Sequence, residues 1–404
     1  MKNIAGNSYI QKKNTKINLD LVPLDELIKN YKTPLHIFLK KKIEDNITTF
    51  NNIFKEVFGD FECFYSLKAN FLPEICKIVN SKGVGANVVG IPELKLALEV
   101  GFSPNSIIVG GLYLPEDLLE LSIKSKVKEI IVYSLDDIKK INDIAKKHNM
   151  VQNICIRVNS QKYGSKLGVI FNKNNLKILK QSIKSYDYVK VSTILSHFST
   201  QMNDINQFDK NIKNLISNLK ILLEHEIYIE NINFGGGFPE ATVMSYKQLT
   251  KIAQIIKTNI ADFNIKGIYL EPGRYFVGDS GLFLTKIVKV GEDRWIFLNF
   301  GNHLCPKFAK CSLRFYNASQ INEPHKYKTN IAGIVPTDQD VLAKNYFFTQ
   351  NLMVNDYVIV TNTGAYCLTF SNRFPYQLPM IILIDGNSIR EIFDPKIDHD
   401  FSIS

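Results

Sequence analysis

Four short segments of the sequence carry residue types that are suited to covalent and anion-binding chemistry. Each follows a run of β-branched and aromatic residues, and the four are Lys68–Asn70, His197–Thr200, Gly235–Phe238 and Glu271–Arg274. A desolvated lysine amine can attack a carbonyl carbon and form an imine. Glycine amides let the backbone approach an anion closely, and arginine binds phosphate through two parallel hydrogen bonds. Together the segments predict a phosphate cradle beside a nucleophilic amine.

Each of these residues also has an ordinary structural explanation when it is taken alone. Lys68 would be a solvated charge at a strand end, and His197 would be a hydrogen-bonded histidine of the core. Glu271 would form an ion pair with Arg274, three residues later. The glycine triplet would be a turn, since no GxGxxG sequence opens a helix here. It is the combination of the four segments that favours a functional site.

The same residues suit a pyridine ring that serves as an electron sink. Glu271 could keep the ring nitrogen protonated, and His197 could stack on one face of the ring. Thr200 could add a hydroxyl to the phosphate cradle. A phosphorylated pyridine ligand would therefore use all four segments.

The elements that must position these segments alternate regularly. Between about residues 60 and 275, eight short β-branched runs alternate with helical patterns whose apolar residues recur three and four positions apart. The predicted strands are 63–67, 85–89, 106–110, 129–133, 153–158, 191–198, 231–235 and 267–272. This alternation favours a parallel (β/α)8 barrel, with an open doubly wound sheet as the alternative. In a barrel the four segments would meet, because functional residues collect at the C-terminal ends of the strands.

The two ends of the chain follow a different pattern. Residues 286–404 carry short strands separated by loops and lack long helical patterns, which indicates an all-β region. We therefore predict an α/β architecture with a TIM barrel over residues 38–285. A second, C-terminal β domain would cover residues 286–404 and also take in residues 1–37.

Composition limits the class of protein further. The 404 residues are 45% hydrophobic and 22% charged, as in a globular protein, and no apolar run approaches the ~20 residues that span a bilayer. The N-terminus has no signal-peptide pattern, so we expect a cytoplasmic protein without membrane contact.

The net charge of +10 is spread along the chain, which argues against a nucleic-acid partner. The six cysteines show no CxxC spacing, so we expect reduced thiols and no metal site.

Seven motifs, in order along the chain, carry a family resemblance. They are FYSLKAN (64–70), GVGANVVGIPELKLALEVGF (83–102), SKLG (165–168), SHFSTQ (196–201), NFGGGF (233–238), LEPGRYFV (270–277) and TGAYC (363–367). With these motifs the chain resembles the fold-type III pyridoxal-phosphate (PLP) decarboxylases, the family of diaminopimelate, ornithine and arginine decarboxylases. The resemblance extends from Thr33 to Tyr366 and is closest to the branch that acts in carboxylate siderophore synthesis.

The resemblance implies a fold, a cofactor and a role for each matching residue. The fold is a (β/α)8 barrel with a β domain, the cofactor is PLP, and the protein is a homodimer with active sites at the subunit interface. The reaction removes the α-carboxylate of an amino acid as carbon dioxide.

The resemblance also implies three catalytic residues. They are Lys68, which carries the cofactor as an imine, His197, which stacks on the ring, and Glu271, which holds the ring nitrogen protonated. The implied cofactor-binding residues are these three with Arg157, Thr200, Gly236, Gly237, Gly273, Arg274 and Tyr366.

The sequence departs from the family pattern at positions that meet the substrate. Pro336 falls where the family has the cysteine that returns a proton to Cα, and Thr337 falls where it has an acidic residue. The family's Arg-Pro segment aligns with residues 305–307 (Cys-Pro-Lys), and Asn87 replaces an aspartate. Without the acidic residue and the arginine, the distal ammonium and carboxylate of diaminopimelate would be buried unpaired, at several kcal/mol each.

These departures favour a substrate whose side-chain nitrogen is a neutral amide, such as N-citrylornithine. The residues expected to bind the substrate are Thr337, Asp340, Lys307 and Tyr366, and candidates for its distal end also include Tyr316, Arg314 and Arg373. Three alternatives stay open. They are decarboxylation of free diaminopimelate, ornithine or lysine, an amino-acid racemase, and a catalytically inactive homologue that binds a partner.

Overall fold

The structure of the protein, a computed structural model, describes residues 2–161, 164–372 and 374–397. Contacts divide the chain into two compact units. The described residues of the β unit fall within Met1–Asn46, Glu240–Thr242 and Arg274–Phe401, and those of the barrel unit fall within Ile47–Pro239 and Val243–Gly273. The sequence pattern places the domain boundaries after residues 37 and 285, whereas the division by contacts falls after residues 46 and 273.

The elements are numbered in chain order. The strands are β1 (Lys2–Ile4), β2 (Asn7–Lys13), β3 (Lys16–Leu19), β4 (Val22–Pro23), β5 (Leu35–Leu39), β6 (Glu62–Ser66), β7 (Gly85–Val88), β8 (Ile107–Gly110), β9 (Glu129–Val132), β10 (Gln152–Arg157), β11 (Val189–Leu195), β12 (Asn231–Asn233), β13 (Gly267–Leu270), β14 (Gly281–Val290), β15 (Trp295–Leu298), β16 (Arg314–Asn317), β17 (Tyr327–Ala332), β18 (Val341–Phe348), β19 (Tyr357–Thr361), β20 (Met380–Asp385) and β21 (Ser388–Phe393). The helices are α1 (Leu24–Asn30), α2 (Lys40–Phe58), α3 (Pro73–Ser81), α4 (Ile91–Glu99), α5 (Glu116–Lys124), α6 (Asp136–Lys147), α7 (Lys173–Ser185), α8 (Ile205–Glu224), α9 (Tyr246–Ile260), α10 (Arg274–Val277) and α11 (Cys367–Phe370).

The barrel unit closes into the parallel barrel that the alternating pattern predicts. Strands β6 to β13 pair in chain order, and β13 pairs with β6 to complete the ring. β-Branched and aromatic residues suit these short strands because they pack well on a pleated, buried surface. The open-sheet alternative is therefore wrong. Six buried residues of the barrel strands form one hydrophobic cluster, and they are Phe64, Ile108, Ile131, Cys155, Leu195 and Tyr269.

Three of the helices that alternate with the barrel strands, α7, α8 and α9, begin at a side-chain cap. Ser245 caps α9 and forms a reciprocal capping box with Gln248, while the side chain of Asp204 accepts the N–H of Asn206 at the start of α8. These caps fix where the preceding loops end, and several of those loops carry candidate residues. Within the described part of the chain, none of the helices has both the length and the apolar character needed to cross a membrane.

The described part of the β unit forms two sheets. The first is antiparallel and runs β1-β2-β3-β4. The second runs β18-β17-β15-β14-β5-β20-β21, with β19 paired to β14 and β16 paired to β19. Strand β5 is buried along its whole length and pairs antiparallel with β14 and parallel with β20. Because the backbone of a buried strand needs partners on both edges, β5 ties the N-terminal segment into the C-terminal β domain, as the sequence predicts.

Candidate active site

Lys68 lies in a short 3₁₀ turn, Leu67–Ala69, that follows β6 directly. Both of its neighbours in the turn are buried, whereas the Lys68 side chain is exposed. The hydroxyl of Tyr65 donates to the backbone oxygen of Asn70 at 2.9 Å and holds the end of the turn. An anchored turn therefore presents an amine at the C-terminal end of a barrel strand.

Glu271 follows β13, the strand that pairs with β6 in the barrel. The side-chain amide of Asn233 donates to its Oε1 atom at 2.7 Å, and the side chain of Asn87 also hydrogen-bonds the carboxylate. Burial raises the pKa of Glu271 above its ordinary value, while the hydrogen bond from Asn233 and the charge of Lys68 oppose this shift. A carboxylate of raised pKa is a strong acceptor, so it suits a protonated ring nitrogen.

The glycine triplet 235–237 forms a loop that has no room for side chains. A Cβ atom at Gly236 would collide with the backbone oxygen of Glu271. At Gly237 the backbone φ is +89°, and a Cβ atom would collide with the backbone oxygen of Ser199. The loop therefore keeps a bare backbone, which is what close approach of an anion requires.

His197 and Thr200 lie in the loop that follows β11. His197 is half-buried, and the backbone N–H of Gly236 donates to its Nδ1 atom at 3.3 Å. When Nδ1 accepts a hydrogen bond, the neutral ring carries its proton on Nε2. Thr200 is exposed. The hydrogen bond thus joins the predicted ring-stacking histidine to the predicted phosphate loop.

Arg157 ends β10 and contacts Tyr133 in two ways. Its Nη1 atom donates to the tyrosine hydroxyl at 2.8 Å, and its guanidinium carbon lies 4.7 Å from the ring centroid. Its buried Nε atom has no hydrogen-bond partner among the residues that the structure describes. A buried donor without a partner is costly, and a ligand oxygen would satisfy it.

Arg274 begins α10 in the β unit and is buried. Its Nη1 atom pairs with the carboxylate of Glu240 at 3.2 Å, and its Nη2 atom donates to the backbone oxygen of Ala309 at 2.6 Å. The ring of Tyr366, a residue with φ of +66°, lies 4.9 Å from the guanidinium carbon. Burial disfavours the charged guanidinium, yet Glu240 keeps the pKa of Arg274 raised. The ion-pair partner of Arg274 is thus Glu240, not Glu271 as the short sequence spacing suggests.

The loop between β17 and β18 carries the positions that depart from the family pattern. Pro336 and Thr337 are exposed. Asp340 is buried, and its carboxylate accepts the N–H groups of Asn302 at 2.7 Å and of Val335 at 2.8 Å. Asp340 therefore acts as an anchor of this loop, and Pro336 and Thr337 lie in its exposed part, residues 336–339.

The other residues expected at the substrate differ in their surroundings. Lys307 is exposed in a short turn, and Tyr316 is half-buried on β16. The Nη1 atom of Arg314 donates to the backbone oxygen of Ala5 at 3.3 Å. Arg373 lies outside the described residues. Gly273, the last residue of the barrel unit before the β unit resumes, is buried.

Two amides that the sequence interpretation did not single out brace the loops of the barrel. Asn233 holds Glu271, as described above, and its position inside the NFGGGF motif was the available signal. Asn211 donates to the backbone oxygens of Ser196 at 3.2 Å and Phe234 at 3.0 Å. Nothing in the sequence around Asn211 predicts this contact, because the residue lies within α8 and far from both partners in the chain.

Three thiols of the β unit converge, although their spacing in the sequence did not indicate a cluster. The Sγ atom of Cys367 lies 3.2 Å from that of Cys305 and 3.5 Å from that of Cys311. Hydrogen bonds from the two other thiols and the guanidinium of Arg274 lower the pKa of Cys311. The sequence separations of 6 and 56 residues explain why no short metal-binding motif is visible.

The barrel unit offers the groups that PLP requires. Lys68 would supply an amine for the cofactor's carbonyl carbon, Glu271 would supply an acceptor for its ring nitrogen, and the bare glycine loop would suit its phosphate. The unpartnered Nε atom of Arg157 adds a buried donor. The residues present therefore fit the cofactor. A closed (β/α)8 barrel with these groups at its strand ends, together with a β domain, defines the class of fold-type III PLP enzymes.

Comparison with known proteins agrees with this class. The model of the family "Pyridoxal-dependent decarboxylase, pyridoxal binding domain" matches residues 41–278. A diaminopimelate decarboxylase from Aquifex aeolicus is 24% identical over 96% of this chain and 94% of its own length. An L-glutamyl-(BtrI acyl-carrier protein) decarboxylase from Niallia circulans is 26% identical over 88% of this chain and 89% of its own. The solved diaminopimelate decarboxylase of M. jannaschii superposes with a TM-score of 0.88 at 23% identity, over 97% of this chain and 96% of that one.

The chain belongs to the pyridoxal-dependent decarboxylase family, because the family model matches more than half of its length. It is accordingly a PLP-dependent amino-acid decarboxylase, a carbon–carbon lyase. The fold and the cofactor expected from the motifs are confirmed. The individual roles of the site residues stay predictions.

Proposed function

We propose that this decarboxylase acts on a diamino acid whose distal amine is acylated, such as N-citrylornithine, in the assembly of a carboxylate siderophore. The observation that carries the proposal is the exposed pair Pro336 and Thr337. They stand where the family resemblance implies a cysteine and an acidic residue. A free distal ammonium would find no carboxylate at Thr337, whereas a neutral amide needs none.

The environment of Asp340 supports the same substrate. Asp340 is the acidic residue that closes the loop, but it is buried and already accepts two backbone N–H groups. Drawing this carboxylate away to pair with an ammonium would leave those donors unsatisfied, at about 1–3 kcal/mol for each. Asp340 is therefore a poor substitute for the missing acidic side chain.

A polyanionic acyl group would suit the charges on this unit. Lys307 is exposed in the segment that aligns with the family's Arg-Pro pair, and Arg314 is half-buried on β16. The chain as a whole carries a net charge of +10, which favours anionic ligands in general. We propose that Lys307 and Tyr366 contact the distal part of the substrate.

One relative supports a substrate that is not a free diamino acid. The Niallia circulans protein acts, by its name, on a glutamyl group carried by an acyl-carrier protein. Its similarity to this chain is of the same order as that of the diaminopimelate decarboxylases. The second candidate function is decarboxylation of free diaminopimelate, ornithine or lysine, which the names of those relatives favour.

The residues of the barrel unit then have defined tasks. PLP, when bound, supplies an electron sink for the bond to the leaving carboxylate. We propose that Lys68 holds the cofactor and that Glu271 keeps a proton on the ring nitrogen. His197 covers one ring face, and Gly236 and Gly237 bind the phosphate through their backbone. In the β unit, we propose that Arg274 serves the phosphate as well.

We also propose that the enzyme is a homodimer. Phe308 and Phe370 are exposed on the β unit, and their rings meet edge to face with centroids 4.7 Å apart. Adjacent exposed aromatic rings are typical of surfaces that another chain covers. Light scattering on the purified protein should give twice the mass of one chain, and Phe308→Ser should shift the protein toward the monomer.

The substrate proposal is tested by carbon dioxide release from N-citrylornithine, ornithine, lysine and diaminopimelate. The enzyme is loaded with PLP, and Lys68→Ala serves as the inactive control. We expect kcat/KM for the citryl compound to exceed that for each free diamino acid by about 100-fold or more, the equivalent of one unpaired buried charge. Equal or faster release from a free diamino acid would replace this proposal with the second candidate. Amino-acid racemisation without carbon dioxide would contradict both.

A further inference from the structure

Three cysteines from separate segments of the β unit surround one point. Cys305 precedes a short turn, Cys311 precedes β16, and Cys367 begins α11. Their sulfur atoms all lie within 4.8 Å of one another. Cys305 and Cys367 are buried, and Cys311 is half-buried. A cluster of this kind places three soft ligands in a largely dry environment.

The sulfur positions suit a shared metal ion better than a disulfide. Zinc binds thiolates at about 2.3 Å, so a tetrahedral site separates its sulfur atoms by about 3.8 Å. The separations here, from 3.2 Å to at most 4.8 Å, bracket that value. A disulfide needs about 2.05 Å between two sulfur atoms and leaves the third thiol without a role. A metal ion uses all three.

The surroundings of the cluster also suit a metal. The Nη1 atom of Arg274 lies 3.9 Å from the Sγ atom of Cys311, and a guanidinium there offsets the excess negative charge of three thiolates on a divalent ion. The backbone oxygen of Ala365 lies 3.3 Å from the same sulfur. No fourth histidine, cysteine or carboxylate joins the group within the described ranges, so a water or a backbone oxygen would complete the coordination.

We propose that Cys305, Cys311 and Cys367 bind one zinc ion per chain and that the ion stabilises the Arg274–Tyr366 contact. The proposal departs from the expectation, based on the cysteine spacing, of reduced thiols and no metal site. Cys367 directly follows Tyr366, and Cys311 contacts Arg274. An ion held by these thiols would therefore tie together the segments that position both residues.

The first experiment uses the holoenzyme after treatment with a chelator. Titration with Co²⁺ should give the visible d–d absorption of a thiolate site, which saturates at one equivalent per chain, and Zn²⁺ should displace it. Cys311→Ser and Cys367→Ser should each abolish the absorption. Cys76→Ser is the matched control, because Cys76 is a buried thiol of the barrel unit that lies outside the cluster, and this variant should titrate like the wild type.

A second measurement does not depend on variants that fold. In the wild-type protein, added Zn²⁺ should protect Cys305, Cys311 and Cys367 from alkylation under mild denaturation, as read by mass spectrometry, and leave Cys63 and Cys76 unprotected. The proposal would be overturned if the protein bound Zn²⁺ more weakly than a free thiol chelator does. It would also be overturned if the Cys311→Ser variant still bound the ion. A disulfide that forms among the three thiols at the same rate with and without Zn²⁺ would likewise overturn it.

Discussion

The side-chain amide of Asn233 donates a hydrogen bond of 2.7 Å to the carboxylate of Glu271. The same amide accepts the backbone N–H of Gly235 at 2.8 Å through its Oδ1 atom. One side chain therefore orients both the carboxylate that we assign to the ring nitrogen and the loop that we assign to the phosphate. Strand β12 ends at Asn233, so the amide is held by the barrel itself.

Asn233→Ala should shift the pH dependence of catalysis. The hydrogen bond stabilises the ionised form of Glu271, so its loss raises the pKa of that carboxyl further. Because the role proposed for Glu271 requires its ionised form, the acidic limb of the pH profile of kcat/KM should move to higher pH. At neutral pH, kcat/KM should fall about 10- to 100-fold, the equivalent of a hydrogen bond to a charged group.

Asn231→Ala provides the control for this prediction. Asn231 lies on the same strand, and its amide donates to the hydroxyl of Thr193 at 3.3 Å. This variant should keep the acidic limb in its wild-type position. If the acidic limb of Asn233→Ala stayed in its wild-type position, Asn233 would not be the residue that positions Glu271, even if the overall rate fell.

Gly237→Ala should weaken the binding of PLP. The new Cβ atom would collide with the backbone oxygen of Ser199, and φ at this residue is +89°. The positive φ alone costs about 1 kcal/mol for alanine. Gly83→Ala separates the two effects, because φ there is +70° and no atom lies within 4 Å of the added Cβ. Cofactor titration should show a raised dissociation constant for Gly237→Ala and an unchanged one for Gly83→Ala, and equal constants for the two variants would contradict the phosphate assignment.

The fold was largely predictable from the sequence. The eight barrel strands were identified because short runs rich in β-branched residues lie between amphipathic helices, and that alternation depends on local sequence. The pairing of β5 with β14 and β20 supports the prediction that the N-terminal segment joins the β domain. Local patterns could not predict the boundaries between the two units. Glu240–Thr242 belongs to the β unit, although the residues on both sides of it in the sequence belong to the barrel unit.

The candidate site was predictable only where a residue type is itself informative. Lys68 and Glu271 stood out because each follows a strand and each has a definite chemistry. Asn211 and the thiol cluster did not, because their partners are distant in the sequence and no short motif surrounds them. The pairing of Arg274 with Glu240 was missed for the same reason, as the two residues are 34 positions apart.

Glu129 should make stability depend on pH. It is buried at the start of β9, where it accepts hydrogen bonds from the hydroxyls of Thr193 and Ser192. Burial raises its pKa from 4.5 to about 7 against the effect of these bonds. The folded state thus holds the proton more tightly than the unfolded chain, so this contribution is complete below pH 4.5 and is lost as pH rises through about 7. The loss amounts to about 3 kcal/mol.

Glu129→Gln should remove this dependence. The free energy of unfolding, measured by urea denaturation between pH 5 and pH 8, should fall less steeply with pH in the variant than in the wild type. Glu116→Gln is the control, because Glu116 is an exposed carboxylate that pairs with Lys147 at 3.5 Å and does not contribute to the pKa shift of Glu129. If Glu129→Gln and the wild type lost stability in parallel, another group would be responsible for the pH dependence.

Thr337→Asp should move the substrate preference toward free diamino acids. Thr337 is exposed in the loop that Asp340 anchors, so an aspartate there adds a charge without disturbing the anchor. An ammonium on the substrate would gain a partner, and a polyanionic citryl group would meet repulsion. We expect kcat/KM for ornithine to rise about ten-fold and kcat/KM for N-citrylornithine to fall by a similar factor, which corresponds to about 1.4 kcal/mol in each direction.

Gln339→Asp is the control, because it adds the same charge two residues further along the exposed loop. It should change neither value by as much. If both variants changed the two substrates alike, the effect would come from the overall charge of the loop, and Thr337 would lose its proposed role in selecting the distal group.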